Sequence, residues 1–260
     1  MSRILFFALL AARLMPAADP VLPSKDKFHL FLLVGQSNMA GRGAVEPQDT
    51  TPHPRVLTLT KEGTWAPAVD PLHFDKTSAG VGLGKTFGRL MAEVSPEATI
   101  GLIPCAVGGS PIEVWTPGAF YAATKSHPWD DMVSRVTAAM KVGTLKGILW
   151  HQGEADCKPE LAAVYESRLH DLIQRFRTLV KNESIPFIAG EIGHFKDVPV
   201  NPDSAPVTQA HKTLPDKVKN TAFVSSDGLV HKGDKVHFDS ASYRELGKRY
   251  FDAFRKLTAP

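Results

Sequence analysis

Cysteine is scarce: the chain of 260 residues has only Cys105 and Cys157, and neither has a second cysteine at metal-ligand spacing. A disulfide-built scaffold and a cysteine zinc cluster are thereby excluded, leaving one possible bond or two free, buried thiols. Long apolar runs are missing too, since none reaches the roughly 18 residues that a membrane-spanning helix needs. Charge of one sign is equally absent, with 30 Lys and Arg against 27 Asp and Glu, a formal net charge of +3. No basic run tracks a phosphate backbone and no segment interleaves aromatic with basic residues, which speaks against nucleic acid as a partner. Repeats and low-complexity tracts are lacking as well.

What is there suits one globular unit. At 43% hydrophobic and 22% charged residues, the chain can bury one substantial core near the upper size of a single domain. The N-terminus places Arg3, then an apolar run from Ile4 to Ala12, then Ala17 and Ala18, in the order of a secretory signal peptide. Residues 1–18 are therefore expected to be a signal, 19–27 a linker and 28–260 a single domain, secreted or periplasmic and free of the membrane once the signal is removed. Arg13 and Pro16 make a cut after Ala18 a poor one, and a disordered or membrane-peripheral tail is the alternative.

Short apolar segments alternate with segments of helical period. FHLFLLV from Phe28, ended by Gly35, suits a strand covered on both faces. Arg55–Leu59, Thr99–Pro104, Lys146–Trp150, Ile185–Ala189 and Thr221–Ser225 are similar, giving five or six strands. Helical spacing marks Glu160–Val180, Asp130–Lys141 and Ser240–Phe254. This alternation predicts an α/β fold, a three-layer α/β/α sandwich around a parallel sheet. In such sheets sites form beyond the carboxyl ends of strands, so polar residues just after strands carry the functional signal.

Three strands end that way. The first runs into Gly35-Gln36-Ser37-Asn38-Met39-Ala40-Gly41, placing Ser37 on a tight turn where a hydroxyl can attack a carbonyl and the amide can donate to the resulting oxyanion; an ordinary helix N-cap explains a serine there equally well. The third ends in Gly108-Gly109-Ser110, where the amide of Gly109 is a second candidate donor and a plain turn the alternative. The fourth ends in His151-Gln152-Gly153-Glu154-Ala155-Asp156. There Gln152 could donate to an oxyanion, and Glu154 could orient a base or hold a sugar hydroxyl. A metal held by His151, Glu154 and Asp156 lacks a convincing partner cluster. Before the last helix, Asp234 and His237 stand three residues apart, a spacing that lets a carboxylate orient a catalytic base, with His231, Asp227 and Asp239 as competitors.

Together, GQSNMAG at 35–41, GGS at 108–110, WHQGEAD at 150–156 and DKVHF at 234–238 resemble the SGNH hydrolase superfamily, and within it the sialate O-acetylesterase and family six carbohydrate esterase group that includes acetyl xylan esterases. The resemblance runs from about Phe28 to the C-terminal helix. It implies a flavodoxin-like fold, Ser37 as nucleophile, His237 as base and Asp234 as its partner, with no metal or cofactor. It also implies an oxyanion hole of Ser37, Gly109 and Gln152, with Gln36, Asn38, Gly108 and Glu154 in binding or supporting places. The expected reaction is removal of O-acetyl groups from an acetylated carbohydrate. Hydrolysis of longer acyl esters and a decayed carbohydrate-binding protein are the alternatives. Ala155 departs from the serine that many relatives carry. The Gly193–Ala205 segment and the Trp115 region are expected to shape the sugar-facing rim.

Overall fold

The computed structural model describes residues 20–259; the expected signal peptide lies outside them. The chain runs β1 (Phe28–Gly35), α1 (Ser37–Ala40), β2 (Val56–Leu59), β3 (Trp65–Pro67), α2 (Leu83–Val94), β4 (Thr99–Pro104), α3 (Pro128–Val142), β5 (Thr144–His151), α4 (Pro159–Ala162), α5 (Tyr165–Val180), β6 (Phe187–Gly190), α6 (Ser204–Lys212), α7 (Leu214–Lys217), β7 (Thr221–Val224) and α8 (Ser240–Leu257). Seven strands form one sheet in the order β3-β2-β4-β1-β5-β6-β7. All neighbours pair parallel except β3, which runs antiparallel to β2 at the edge. The six expected strands are present, and β3 is an addition. Its three residues end in Pro67, a pattern too short to register in sequence and tolerated at an edge.

Period-two alternation along β1 sends Phe28, Leu30, Leu32 and Val34 into one core cluster and Phe31 and Leu33 into the other. The first cluster lies under α3, α5 and α6, where Trp129, Tyr165, Leu169, Phe176 and Val207 are buried. The second lies under α2 and α8, which pack on each other and bury Phe87, Tyr243, Leu246 and Phe254. These are the three expected layers.

Two helical expectations need correction. The run from Glu160 is two helices, interrupted at Ala163–Val164, and Leu161 and Leu179 within it are only partly buried. α2 was not expected, because Gly84 and Gly88 dilute a buried stripe of Leu83, Phe87 and Met91. The glycines serve packing: a Cβ at Gly84 would come 2.6 Å from Leu33, and one at Gly88 3.0 Å from Val56. The helix thereby sits close on the sheet. Within the described part of the segment expected as a linker, Leu22 packs against the core and the Thr144 hydroxyl donates to the Lys25 carbonyl.

Candidate active site

Ser37 is the first residue of α1, directly after the carboxyl end of the central strand β1. Gly35 turns the chain there at φ 133°, a conformation open to glycine, and a Cβ on it would strike the His151 carbonyl. Gln36 N–H donates to that same carbonyl at 3.0 Å, so the turn is fastened to β5. The serine is held in a fixed place.

His237 Nε2 lies 3.0 Å from Ser37 Oγ, and His237 Nδ1 lies 2.7 Å from Asp234 Oδ2. Asp234 Oδ1 also accepts from the backbone amides of Val236 and His237, at 3.0 and 2.8 Å. Partial burial pushes its carboxyl up, and those hydrogen bonds and the imidazole together outweigh it, holding the carboxyl well below the usual carboxylate range. The competitors are engaged elsewhere. His231 pairs with Asp197 at 2.9 Å, and Asp239 caps α8 by accepting from Ser242 N–H at 2.7 Å. Asp227 is exposed, its amide bonded to the Ser225 hydroxyl.

Ser37, Gln36, Gly108, Gly109, Glu154 and His237 all line one open cleft of about 710 Å³. Gly109 has φ 82°, and its carbonyl accepts from Tyr121 Oη at 2.7 Å. Gly108 N–H is committed to Asp75 Oδ2 at 2.8 Å, and Asp75 in turn forms a buried ion pair with Arg42 at 2.6 Å. Among the described residues, neither the Ser37 nor the Gly109 amide donates to another protein group. Both are free to meet a developing oxyanion.

Gln152 sits elsewhere than expected. It is fully buried, and its Nε2 donates to Gln36 Oε1 at 3.3 Å, Ser110 O at 3.1 Å and Asp156 Oδ2 at 2.5 Å. Its Oε1 accepts from Tyr165 Oη at 2.9 Å. It does not line the cleft. Gln36 does, and its Oε1 accepts from Gln152 together with the amides of Ala155 and Gly153, at 3.2 and 3.4 Å. Backbone donors on Oε1 fix which way the amide is turned, so Gln36 Nε2 is the side-chain donor left at the cleft. Two glutamines each follow or precede a glycine at a strand end, and sequence alone does not say which of a stacked pair faces outward.

Asn38 is fully buried and joins three elements. Its Nδ2 donates to Glu154 Oε1 at 2.5 Å and to the Val236 carbonyl at 3.1 Å, and its Oδ1 accepts from Tyr243 Oη at 2.6 Å. The serine turn is thus bound to the His237 loop and to the end of β5. Burial pushes the Glu154 carboxyl up, as it does Asp156. The side chains of His151, Glu154 and Asp156 have separate partners: His151 faces Tyr250, 3.1 Å from its Oη, Glu154 accepts from Asn38, and Asp156 accepts from the Ile112 amide at 2.9 Å. Burial drives His151 down to about 3.

Other expectations shift in the same way. Trp115 is wholly buried, its Nε1 donating to Ser110 Oγ at 3.1 Å, and it does not line the cleft, whereas Tyr121 does. The Gly193–Ala205 segment borders a smaller cavity of about 200 Å³ that shares Glu154 and Val236 with the cleft. Cys105 and Cys157 are both free. Arg42, Asp75, Tyr121 and Tyr243 carried no motif of their own; only the position of Arg42, one residue past GQSNMAG, pointed to the site.

A family model described as carbohydrate esterase, sialic acid-specific acetylesterase, matches residues 27–256. A "Probable carbohydrate esterase" of Arabidopsis thaliana is 31% identical over 91% of this chain and 92% of its own length. A solved structure from Arabidopsis thaliana superposes at a TM-score of 0.78, with 30% identity, over 88% of this chain and 98% of that one. The fold recurs in NanS, with TM-score 0.72 and 20% identity over 91% and 99% of the two chains. It recurs again in a carbohydrate acetylesterase of Xanthomonas citri, at 0.68 and 19%, over 88% of this chain and 56% of that one.

Proposed function

The chain belongs to the carbohydrate esterase family described as sialic acid-specific acetylesterases and is a carboxylic ester hydrolase, and from that premise we propose that it removes O-acetyl groups from carbohydrates through an acetyl-serine on Ser37. The observation that carries this reading is the hydrogen-bonded line from Asp234 Oδ2 through the His237 ring to Ser37 Oγ, at 2.7 and 3.0 Å.

His237 Nε2 takes the Ser37 proton as Oγ bonds to the acetyl carbon, and the carbonyl oxygen becomes an oxyanion. The Ser37 and Gly109 amides and Gln36 Nε2 hold that charge. The carbon–oxygen bond to the sugar then breaks, and the sugar oxygen leaves with the proton from His237. Water repeats the sequence: His237 takes its proton, its oxygen bonds to the acetyl carbon, and acetate departs as Ser37 Oγ is reprotonated. Asp234 stays ionised throughout and steadies the imidazolium. Arg42 and Asp75 keep Gly108, and so the Gly109 turn, in register. The apolar run from Ile4 to Ala12 supports export of the enzyme to where acetylated glycans lie.

Turnover of p-nitrophenyl acetate by the parent and by Ser37→Ala tests the nucleophile, the variant being expected to lose activity by about four orders of magnitude. Undiminished hydrolysis in the variant overturns the assignment. An acyl-length series tests the acetyl preference, expected to collapse by butyrate; a rate that rises towards octanoate favours a lipase-type reading instead.

A further inference from the structure

The amide that Gly109 offers to an oxyanion belongs to the peptide joining two consecutive glycines, Gly108 and Gly109, the residue type with the widest choice of φ and ψ. Left to itself, that peptide is loose. Among the described residues, neither its N–H nor its carbonyl, that of Gly108, has a backbone hydrogen-bond partner. Its direction must come from its neighbours.

Both neighbouring peptides are pinned. On one side the Gly108 N–H donates to Asp75 Oδ2 at 2.8 Å, and the carbonyl of that peptide, Val107 O, accepts from Ser110 N–H at 3.2 Å. On the other side the peptide that supplies the Ser110 N–H also carries the Gly109 carbonyl, which accepts from Tyr121 Oη at 2.7 Å. Gly109 is exposed, and among the described residues a Cβ built on it would meet, beyond its chain neighbours, only the Tyr121 hydroxyl, at 3.1 Å. That hydroxyl is the side-chain support of the corner.

Tyr121 is well placed to give it. Its ring packs against the core cluster beneath α3, α5 and α6. Its backbone pairs with Ser126 in both directions, at 2.8 and 3.3 Å, across a short loop in which Lys125 takes a left-handed φ of 51°. The loop is tied to the start of α3, where Gly118 N–H donates to Asp130 Oδ2 at 3.0 Å and His127 N–H to Asp131 Oδ2 at 3.1 Å. Partial burial raises the phenol above its usual range, so the hydroxyl keeps the proton that it donates.

We propose that Tyr121 is a positioning residue of the oxyanion hole: by holding the Gly109 carbonyl from the wall of the cleft, its hydroxyl sets the Gly109 N–H where the acetyl oxygen becomes charged. The assignment rests on the Ser37 esterase reading above and deepens it. A donor acts within a narrow range of distance and angle, so freeing one neighbour of its peptide costs rate without removing any donor to the oxyanion itself.

The test is Tyr121→Phe, which keeps the ring and loses the hydroxyl alone. It is assayed on p-nitrophenyl acetate, with active sites counted by fluorophosphonate titration, and then with phenylboronic acid as inhibitor. Boron bonds to Ser37 Oγ and places one of its own oxygens where the oxyanion forms, so Ki reads the hole directly and does not depend on the fraction of enzyme folded. The expected result is a kcat lower by about tenfold, short of the roughly hundredfold that outright loss of a donor costs, with KM within about twofold and Ki raised about tenfold. Equal kcat and Ki in parent and variant overturn the proposal and leave the esterase reading standing. A raised KM at unchanged kcat and Ki does the same, because Tyr121 is then a substrate contact. A parent without turnover of p-nitrophenyl acetate overturns the esterase reading and this part of it together.

Discussion

Two polar segments lie at the carboxyl ends of the neighbouring strands β1 and β5, and they behave oppositely. The serine turn with its partner loop faces the cleft: His237 and Asp234 keep 23% and 37% of their side-chain surface exposed, and Ser37 lines the opening. The β5 end is equally polar in sequence, yet His151, Gln152 and Asp156 are wholly buried. Its hydrogen bonds run inward, to Tyr165, Tyr250, Ser110 and the Ile112 amide. A polar run after a parallel strand can therefore be the floor of a site instead of its edge. The distinction matters energetically, because a buried group left unpaired costs stability, whereas an exposed reacting group costs only rate when removed.

The largest expected effect separates the two directly. His237→Ala should lower kcat on p-nitrophenyl acetate by about four orders of magnitude with little change in melting temperature. A loss below about a hundredfold would place the base elsewhere and end the contrast.

The paired glutamines sharpen it next. Gln36→Ala should reduce kcat about a hundredfold with KM nearly unchanged, as expected of a transition-state donor. Gln152→Ala should instead destabilise the fold by about 1–3 kcal/mol, through stranded partners on Asp156 and Tyr165, and lower kcat less than Gln36→Ala does. Urea melts and steady-state kinetics on both variants check this. A larger kcat loss in Gln152→Ala at unchanged stability would return the donor role to Gln152.

The smallest effects concern pH, and the two regions should differ in sign. Asp234 has a folded-state pKa below its unfolded value, so its stabilising contribution is present above about pH 4 and is lost as pH falls below that. The melting-temperature gap between the parent and Asp234→Asn should shrink on acidification from neutrality to about pH 3. Glu154 has a raised pKa, so the parent pays an increasing penalty as pH rises above the ordinary carboxylate range. Glu154→Gln keeps an acceptor for Asn38, and its stability relative to the parent should improve from pH 4 to pH 8, with kcat changed less than about tenfold. A Glu154→Gln enzyme that melts in parallel with the parent at every pH would remove the opposite sign.

Much of this was legible in the sequence because it depends on local pattern. β1 alternates between two cores, and its exit through Gly35 to Ser37 is written in consecutive residues. The Asp234–His237 pair is likewise local, three residues apart. What sequence left out depends on contacts far apart in the chain. Asp75 reaches Gly108 across 33 positions, Asn38 reaches Val236 across 198, and the outward face of the Gln36–Gln152 pair is decided across 116. α2 was hidden for a related reason: its glycines are chosen for close approach to Leu33 and Val56, not for helix propensity.

Ser37, nearly buried but lining the cleft, is the residue proposed to bond to the acyl carbon. The most direct test of that central claim is covalent labelling with a fluorophosphonate, followed by peptide mapping and by assay of residual p-nitrophenyl acetate turnover. Stoichiometric labelling on Ser37, with activity lost in proportion, is the predicted result. Full activity with Ser37 labelled, or inactivation with the label on another residue, would contradict it.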